Sequence, residues 1–241
     1  MNIKKTEQLF WKDAENRLFQ LSDEKYRNFS EKLNPNIKLI GVPIPRVRKL
    51  ALSYLKTADK TELMSNPPLD SFLEIKFMKA IFLSRLSLDL KTRFQLLQEF
   101  LPYLDGWAIC DLLCSELKDC KQHKKDYFNF MLTLIHEKKA CHVAPYITRF
   151  FCVMALMYFD EEKYVKQILE EIKTMDCEHY YVMMGVAWLL STLYLHLGDA
   201  MLDKIKALHL DKRTHNTTIQ KIIDSRTISQ EKKVLLKLEK K

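Results

Sequence analysis

Apolar residues recur at helical spacing along almost the whole chain. One such stripe consists of Phe72, Ile75, Met78, Phe82 and Leu86. Residues three or four positions apart lie on one face of a helix, so a stripe of this kind indicates an amphipathic helix with one face toward a core. The 241 residues include only 4 Gly and 7 Pro, too few for the many tight turns of a β-sheet protein. The sequence therefore predicts an all-α fold.

The predicted helices are separated by clear breaks, at residues 34–36 (NPN), 41–45 (GVPIP) and 67–68 (PP). From residue 69 onward helical hairpins recur roughly every 35 to 40 residues, which is the period of HEAT or armadillo repeats. We therefore expect a single HEAT-like domain over residues 1–241, an α-solenoid of stacked antiparallel hairpins whose inner helices line a concave surface. The predicted helices span residues 4–19, 22–33, 44–57, 69–86, 89–103, 105–119, 122–137, 143–159, 161–174, 178–197, 199–208, 214–224 and 229–239.

Targeting segments are not predicted. The first residues run directly into an amphipathic pattern without the apolar segment of a signal peptide. The longest apolar stretches, residues 150–159 and 182–190, are well short of the roughly 20 residues that cross a bilayer. We expect a cytoplasmic protein that acts without a membrane.

The six cysteines lie at positions 110, 114, 120, 141, 152 and 177, and none forms a CxxC pair. Free cysteines are usually buried, so we expect buried thiols. Cys141 and His142, with His136 nearby, are an alternative metal site, but their spacing matches no established ligand pattern. We predict no metal and no cofactor.

Positive charge is concentrated toward the end of the chain. The net charge is +8, and residues 201–241 hold 11 Lys or Arg against 5 Asp or Glu. A basic surface of this kind suits a polyanion; a solvated helix face without a partner is the alternative.

Four residues form the candidate active site. Trp107 and Asp111 are four positions apart, so they project from one face of a helix. Arg149 lies 38 residues after Asp111, and Trp188 lies 39 residues after Arg149. One hairpin period separates each step, which predicts that all four line one groove. The alternative is structural: both Trp residues could pack between repeats, and Asp111 could pair with Arg149.

This spacing resembles the active site of the AlkD family of DNA glycosylases. Three further stretches resemble the same family, residues 40–51 (IGVPIPRVRKLA), 73–76 (LEIK) and 215–225 (HNTTIQKIIDS). The resemblance implies a HEAT-like fold and excision of cationic N3- or N7-alkylated purines from duplex DNA, without insertion of the base into a pocket. We expect a monomer with duplex DNA as its partner.

The resemblance also implies a role for each site residue. Asp111 would stabilise the sugar as it becomes oxocarbenium-like. Trp107 and Trp188 would pack against that developing cation, and Arg149 would hold a neighbouring phosphate. The residues predicted to bind DNA elsewhere are Arg46, Arg48, Lys212, Arg213 and Lys221.

The chain departs from the family pattern at two places. Active members carry a groove-entering helix where this chain has residues 32–39 (KLNPNIKL), and they carry an Arg about three residues after the last Trp, where this chain has Leu189, Leu190 and Ser191. Both departures predict weakened DNA binding. The alternative function is therefore a non-catalytic HEAT-like scaffold that binds DNA weakly or binds another protein.

Overall fold

The computed structural model describes residues 3–137 and 144–241. All regular secondary structure in these two ranges is helical, which confirms the all-α prediction. The chain divides into two compact units, Met1–Asp119 and Cys120–Lys241, and each is described by itself. The predicted single domain and its solenoid arrangement stay predictions. Cys141 and His142 lie outside the described residues.

The helices agree closely with those predicted from the sequence. The first unit contains α1 (Ile3–Gln20), α2 (Glu24–Leu33), α3 (Ile44–Thr57), α4 (Lys60–Met64), α5 (Leu73–Arg85), α6 (Leu90–Phe100) and α7 (Trp107–Glu116). The second unit contains α8 (Lys124–Glu137), α9 (Ala144–Tyr158), α10 (Glu162–Ile172), α11 (Tyr180–Leu197), α12 (Ala200–Ala207), α13 (Lys212–Asp224) and α14 (Gln230–Leu238).

Helix α4 was not predicted, because its five residues are too few to show an apolar stripe. It is specified locally instead. Asp59 precedes it, and the side chain of Glu62 accepts a hydrogen bond from the Asp59 backbone N–H at 3.1 Å, which forms one half of a capping box.

Helix α5 is the central helix of the first unit and packs against α1, α3, α4, α6 and α7. Every residue from 73 to 83 is buried, so the helix is covered on all sides. The one-sided stripe predicted from Phe72 to Leu86 is therefore too narrow, and Phe72 itself is only the N-cap residue. A helix surrounded by other helices buries its polar positions too, which an amphipathic pattern does not anticipate.

Two buried lysines on α5 hold their neighbours in place. The Lys76 ammonium lies 2.5 Å from a carboxylate oxygen of Asp105, just before α7. The Lys79 ammonium donates to the backbone carbonyls of Leu63 and Met64 at the end of α4. Lys79 is fully buried, and burial lowers its pKa to about 7 against a smaller opposing effect of Glu99.

In the second unit, α11 packs between α9 and α13. Gly185 permits a close approach to α9: a Cβ atom there would lie 3.4 Å from Cys152 Cβ and 3.6 Å from Arg149 Cγ. By length and composition α11 could cross a membrane, although more than half of it is buried inside its unit. The expectation that every apolar stretch is well short of the length needed to cross a bilayer is therefore wrong for α11. The packing of α11 against α9 and α13 accounts for its apolar character.

Of the cysteines in the described ranges, Cys110, Cys114, Cys120 and Cys152 are buried, as predicted. Cys177 is only half-buried. Burial raises the pKa of its thiol, which keeps the thiol protonated at neutral pH.

Candidate functional site

Two stretches of the family resemblance meet in the first unit through Glu74. Its carboxylate accepts hydrogen bonds from the backbone N–H groups of Ile40, Gly41 and Val42, at 2.9, 2.7 and 3.0 Å. Glu74 belongs to the stretch 73–76, and its three donors belong to the stretch 40–51. The two motifs are therefore joined by one buried carboxylate on α5, which fixes the irregular chain between α2 and α3.

Gly41 is required at this turn for two reasons. Its φ of 94° lies in the left-handed region, which favours glycine. A Cβ atom there would also lie 2.4 Å from the Cβ of Arg27 on α2, which is a direct clash. In addition, the Gly41 carbonyl accepts a hydrogen bond from the backbone N–H of Asp23, the N-cap of α2. The turn therefore holds α2 in position.

Trp107 is the first residue of α7 and contacts α2. Its indole N–H donates to the backbone carbonyl of Leu33, the last residue of α2, at 3.0 Å. Trp107 and Asp111 both line a cavity of 310 Å³ that lies among α2, α3, α5 and α7. Both side chains are half-buried. The four-residue spacing thus places the aromatic ring and the carboxylate at one accessible cavity.

Apolar residues dominate the wall of this cavity. Phe29 and Leu33 on α2 are 58% and 44% exposed, so the cavity opens to solvent along an apolar edge. The other apolar or aromatic lining residues are Tyr26, Leu39, Val42, Ile44, Leu73, Phe77, Ala108 and Leu112. In surroundings of low polarity a carboxylate such as Asp111 acts more strongly on a nearby cation than it would in water.

Arg48 also lines the cavity, but its guanidinium is engaged by a carboxylate that sequence reasoning missed. Arg48 donates to Glu116 Oε1 through Nε and Nη2, at 3.0 and 2.5 Å. Arg85 donates to Glu116 Oε2 at 3.0 Å. Burial pushes the pKa of Glu116 upward, but the hydrogen bonds and charges of the two arginines lower it below its usual value. Part of the positive charge predicted to meet DNA at Arg48 is therefore compensated within the unit.

Residues 32–39, where the sequence departs from the family pattern, contain the end of α2 and irregular backbone. The loss of a groove-entering helix stays a prediction. Arg46, the other DNA-binding residue predicted here, is exposed, and its Nη1 donates to the carbonyl of Leu21 at 3.3 Å.

The second unit contains two of the predicted cationic residues, Arg149 on α9 and Lys221 on α13. Arg149 on α9 is 6% exposed, and its Nη1 donates to the carbonyl of Tyr181 on α11 at 3.1 Å. Lys221 on α13 is half-buried. Burial lowers the pKa of Lys221, and the positive charge of Arg149 lowers it further, against an opposing effect of Asp224. Arg149 is therefore held against α11, and Lys221 keeps part of its side chain accessible.

Trp188 lies on the side of α11 that faces Arg149. It follows Gly185 by three positions, and the backbone of Gly185 packs against Arg149. Trp188 and Trp107 are both half-buried, whereas Trp11 is 4% exposed and its indole N–H donates to Ser65 at 3.0 Å. Trp11 is therefore a core tryptophan, and the two predicted site tryptophans retain exposed surface.

The beginning of α13 supplies the remaining basic candidates. Lys212 and Arg213 are exposed, and the Arg213 guanidinium lies 5.8 Å from the ring centroid of Tyr180. The third resembling stretch, 215–225, anchors the chain end: His215 Nε2 is 2.8 Å from the carbonyl of Glu239, and Asn216 accepts a hydrogen bond from the backbone N–H of Lys241 at 2.8 Å. That part of the resemblance reflects packing.

Each unit thus carries one half of the predicted site. Trp107 and Asp111 line one cavity in the first unit, and Arg149 and Trp188 lie on two helices that pack together in the second. The convergence of both halves on one groove stays a prediction.

The chain was compared with protein-family models, curated proteins and solved structures. A family model described as DNA alkylation repair enzyme matches residues 14–207, a range that includes all four candidate active-site residues. The chain belongs to this family. Neither the curated proteins nor the solved structures give a significant match.

Proposed function

We propose that this protein is an AlkD-type DNA glycosylase that excises cationic N3- or N7-alkylated purines from duplex DNA. Membership of the DNA alkylation repair enzyme family supports the proposal. The observation that carries it is the placement of Asp111 beside Trp107 at an accessible, largely apolar cavity. A carboxylate in these surroundings is suited to stabilising a sugar cation.

The proposed reaction needs little acid catalysis, because an alkylated purine already carries a positive charge. The bond from C1′ to the purine nitrogen breaks, and its electron pair leaves with the base, which becomes neutral. The sugar becomes oxocarbenium-like, and the Asp111 carboxylate stabilises it and orients the attacking water. The water oxygen bonds to C1′ and its proton is released. Trp107 and Trp188 add cation–π attraction to the sugar.

The basic residues of the second unit would hold the DNA backbone. In this proposal Arg149 and Lys221 bind phosphates, and a guanidinium such as that of Arg149 can contact phosphate oxygens bidentately. Lys212 and Arg213 extend this surface. We further propose that the helices form a HEAT-like solenoid with Trp107, Asp111, Arg149 and Trp188 on one concave wall. In this proposal the protein acts as a cytoplasmic monomer, without a metal or cofactor.

A second candidate function is non-catalytic, weak binding of DNA. Two observations favour it. Arg48 is engaged by Glu116, and the residues after Trp188 offer no cation: Leu189 and Leu190 are buried, and the Ser191 hydroxyl donates to the carbonyl of Trp188 at 2.8 Å. Fewer bonds to phosphate mean lower affinity at physiological salt.

Single-turnover base release distinguishes the two functions. A duplex with one N7-methylguanine is incubated with an excess of protein, and free base is measured against spontaneous depurination in buffer alone. We expect slow but protein-dependent release, because poor positioning of the lesion lowers the rate. The same duplex with unmodified guanine is the matched control. Release no faster than in buffer, at a protein concentration that saturates the DNA, would favour the non-catalytic function.

A further inference from the structure

Aromatic side chains cluster where α9, α11 and α13 begin in the second unit. The ring of Tyr180 packs edge-to-face on Tyr181, with ring centroids 5.1 Å apart. Tyr181 in turn lies 5.8 Å from Tyr146 and 6.0 Å from His179. The cluster is accessible: His179 and Tyr180 are exposed, and Tyr180 keeps 49% of its surface in solvent. Rings that pack on one another are held in place, so little conformational freedom remains to be lost when a ligand stacks on them.

Two arginines lie beside this cluster, and Arg213 lines a pocket that also contains Asp176, Glu178 and Asp211. The guanidinium of Arg213 lies 5.8 Å from the Tyr180 centroid, and that of Arg149 lies 6.0 Å from the Tyr181 centroid. Lys212 is exposed one residue before Arg213. The nearest acid on α13, Asp211, caps that helix by accepting the backbone N–H of Thr214 at 3.0 Å, so part of its charge is compensated locally. Accessible rings beside cations are the combination that binds single-stranded nucleic acid.

We infer that this aromatic–basic surface, formed by His179, Tyr180, Tyr181, Lys212 and Arg213, binds unpaired nucleotides of a DNA strand. A base stacks on the exposed ring of Tyr180, and Arg213 and Lys212 contact the adjoining phosphates. Paired bases within a duplex do not expose their faces to a side chain, whereas an unpaired base does. The surface therefore selects strand segments in which pairing is lost.

This inference goes beyond the excision chemistry and rests on the proposed function only in the choice of DNA as the nucleic acid. An unpaired nucleotide arises wherever a damaged base pair opens, so the surface gives the protein a means of favouring distorted sites. It is separate from Asp111 and Trp107, which carry the proposed chemistry.

Affinity for an undamaged single strand tests the inference. The probe is an oligo-dT of about 16 nucleotides with one central 2-aminopurine, and the full-length protein is titrated into it. We expect quenching of the 2-aminopurine on binding, because the base stacks on Tyr180. Replacing Tyr180→Ala should weaken binding about 5- to 150-fold and remove the quenching, the loss typical of one base–aromatic stack. Tyr180→Phe keeps the ring and should bind within about twofold of wild type.

Phe19→Ala is the matched control. Phe19 is 45% exposed and also packs edge-to-face on a neighbouring ring, that of Phe72, but it lies in the first unit. We expect it to leave affinity and quenching unchanged. Unchanged affinity in Tyr180→Ala would overturn the inference, and so would an equal loss in Phe19→Ala. The probe contains no alkylated base, so this result is independent of base release from N7-methylguanine.

Discussion

Among the described residues, buried charged side chains are concentrated in the first unit, which buries Glu74, Lys76, Lys79, Arg93 and Glu116, whereas the second unit buries Arg149. In the first unit, buried charged groups meet partners within the unit: Glu74 meets three backbone N–H groups, Lys76 meets Asp105, and Glu116 meets two arginines. In the second unit, the buried Arg149 donates to the backbone carbonyl of Tyr181. A buried charge that loses its partner is costly, so the first unit depends on these internal pairs.

This difference implies different roles for the two units. The first unit holds the carboxylate proposed for chemistry at a largely apolar cavity. The second unit presents cations and aromatic rings proposed to bind DNA. Substitutions in the first unit should therefore change rate or stability, and substitutions in the second should change affinity for DNA and its dependence on salt.

Replacement of Asp111 should have the largest effect. Asp111→Asn keeps the side-chain shape and removes the charge that would stabilise the sugar cation, so we expect base release at saturating DNA to slow by about 10²-fold or more. DNA affinity should remain unchanged. Asp203→Asn, at an exposed position of α12, makes the same charge change as a control. Release at the wild-type rate by Asp111→Asn would remove this residue from the chemistry.

Glu116→Gln should destabilise the fold by about 1 to 3 kcal/mol, because it leaves Arg48 and Arg85 without their shared carboxylate. The lowered pKa of Glu116 means that its contribution is present above the usual pKa of 4.5 and is lost as pH falls through the folded-state pKa. Urea unfolding at several pH values should show the difference from wild type shrinking on acidification.

The matched control for Glu116 is Glu31→Gln, which breaks the exposed pair of Arg27 and Glu31 in the same unit. An exposed pair contributes about 0 to 1 kcal/mol, so this control should change stability much less. Equal losses in the two variants would contradict a structural role for the buried carboxylate.

Replacing either of the two site tryptophans should slow base release moderately. Trp107→Ala and Trp188→Ala should each slow base release by a factor of about 5 to 30, since a cation–π contact contributes roughly 1 to 2 kcal/mol. Trp107→Phe separates two roles, because it keeps an aromatic ring but loses the hydrogen bond to the Leu33 carbonyl. Rates that do not respond to either alanine variant would leave the tryptophans with packing roles alone.

Lys79 should make stability depend on pH. Its pKa is about 7 in the folded protein and 10.5 ordinarily, so between these values the unfolded chain binds more protons and stability rises with pH. The rise is at most about 1.4 kcal/mol per pH unit. In Lys79→Met this rise should disappear from urea unfolding curves, whereas the exposed Lys91→Met should retain it. A wild-type profile that is flat above pH 7 would refute the prediction.

The smallest expected effect concerns salt. Replacing Lys212, Arg213 and Lys221 by Ala should lower the slope of log affinity for duplex DNA against log salt by roughly 0.9 for each phosphate that the variant no longer neutralises. Fluorescence anisotropy over a range of salt concentrations measures it. The control replaces the same number of exposed lysines in the first unit, Lys12, Lys25 and Lys91. A slope that falls equally in the control would show that net charge, rather than this surface, binds DNA.

Sequence reasoning was most successful for the helices and for the local pair of Trp107 and Asp111. Helical periodicity repeats within every segment, and a four-residue spacing places two side chains on one helix face in any fold. It was less successful for α4, which is too short for a periodic pattern. It also missed Glu116, because nothing near that residue in the sequence indicates that Arg48, 68 residues earlier, reaches it.

The sequence by itself determined that this chain is helical, where most helices begin and end, that it belongs to a DNA alkylation repair family, and that a Trp and an Asp share a helix face. Only the tertiary structure decided which charges are buried and what they meet. Glu74 joins two motifs that are far apart in the chain, Arg48 is engaged by Glu116, and Arg149 donates to the carbonyl of Tyr181. The physical reason is that periodicity is a local property, whereas the partner of a buried charge depends on how helices pack.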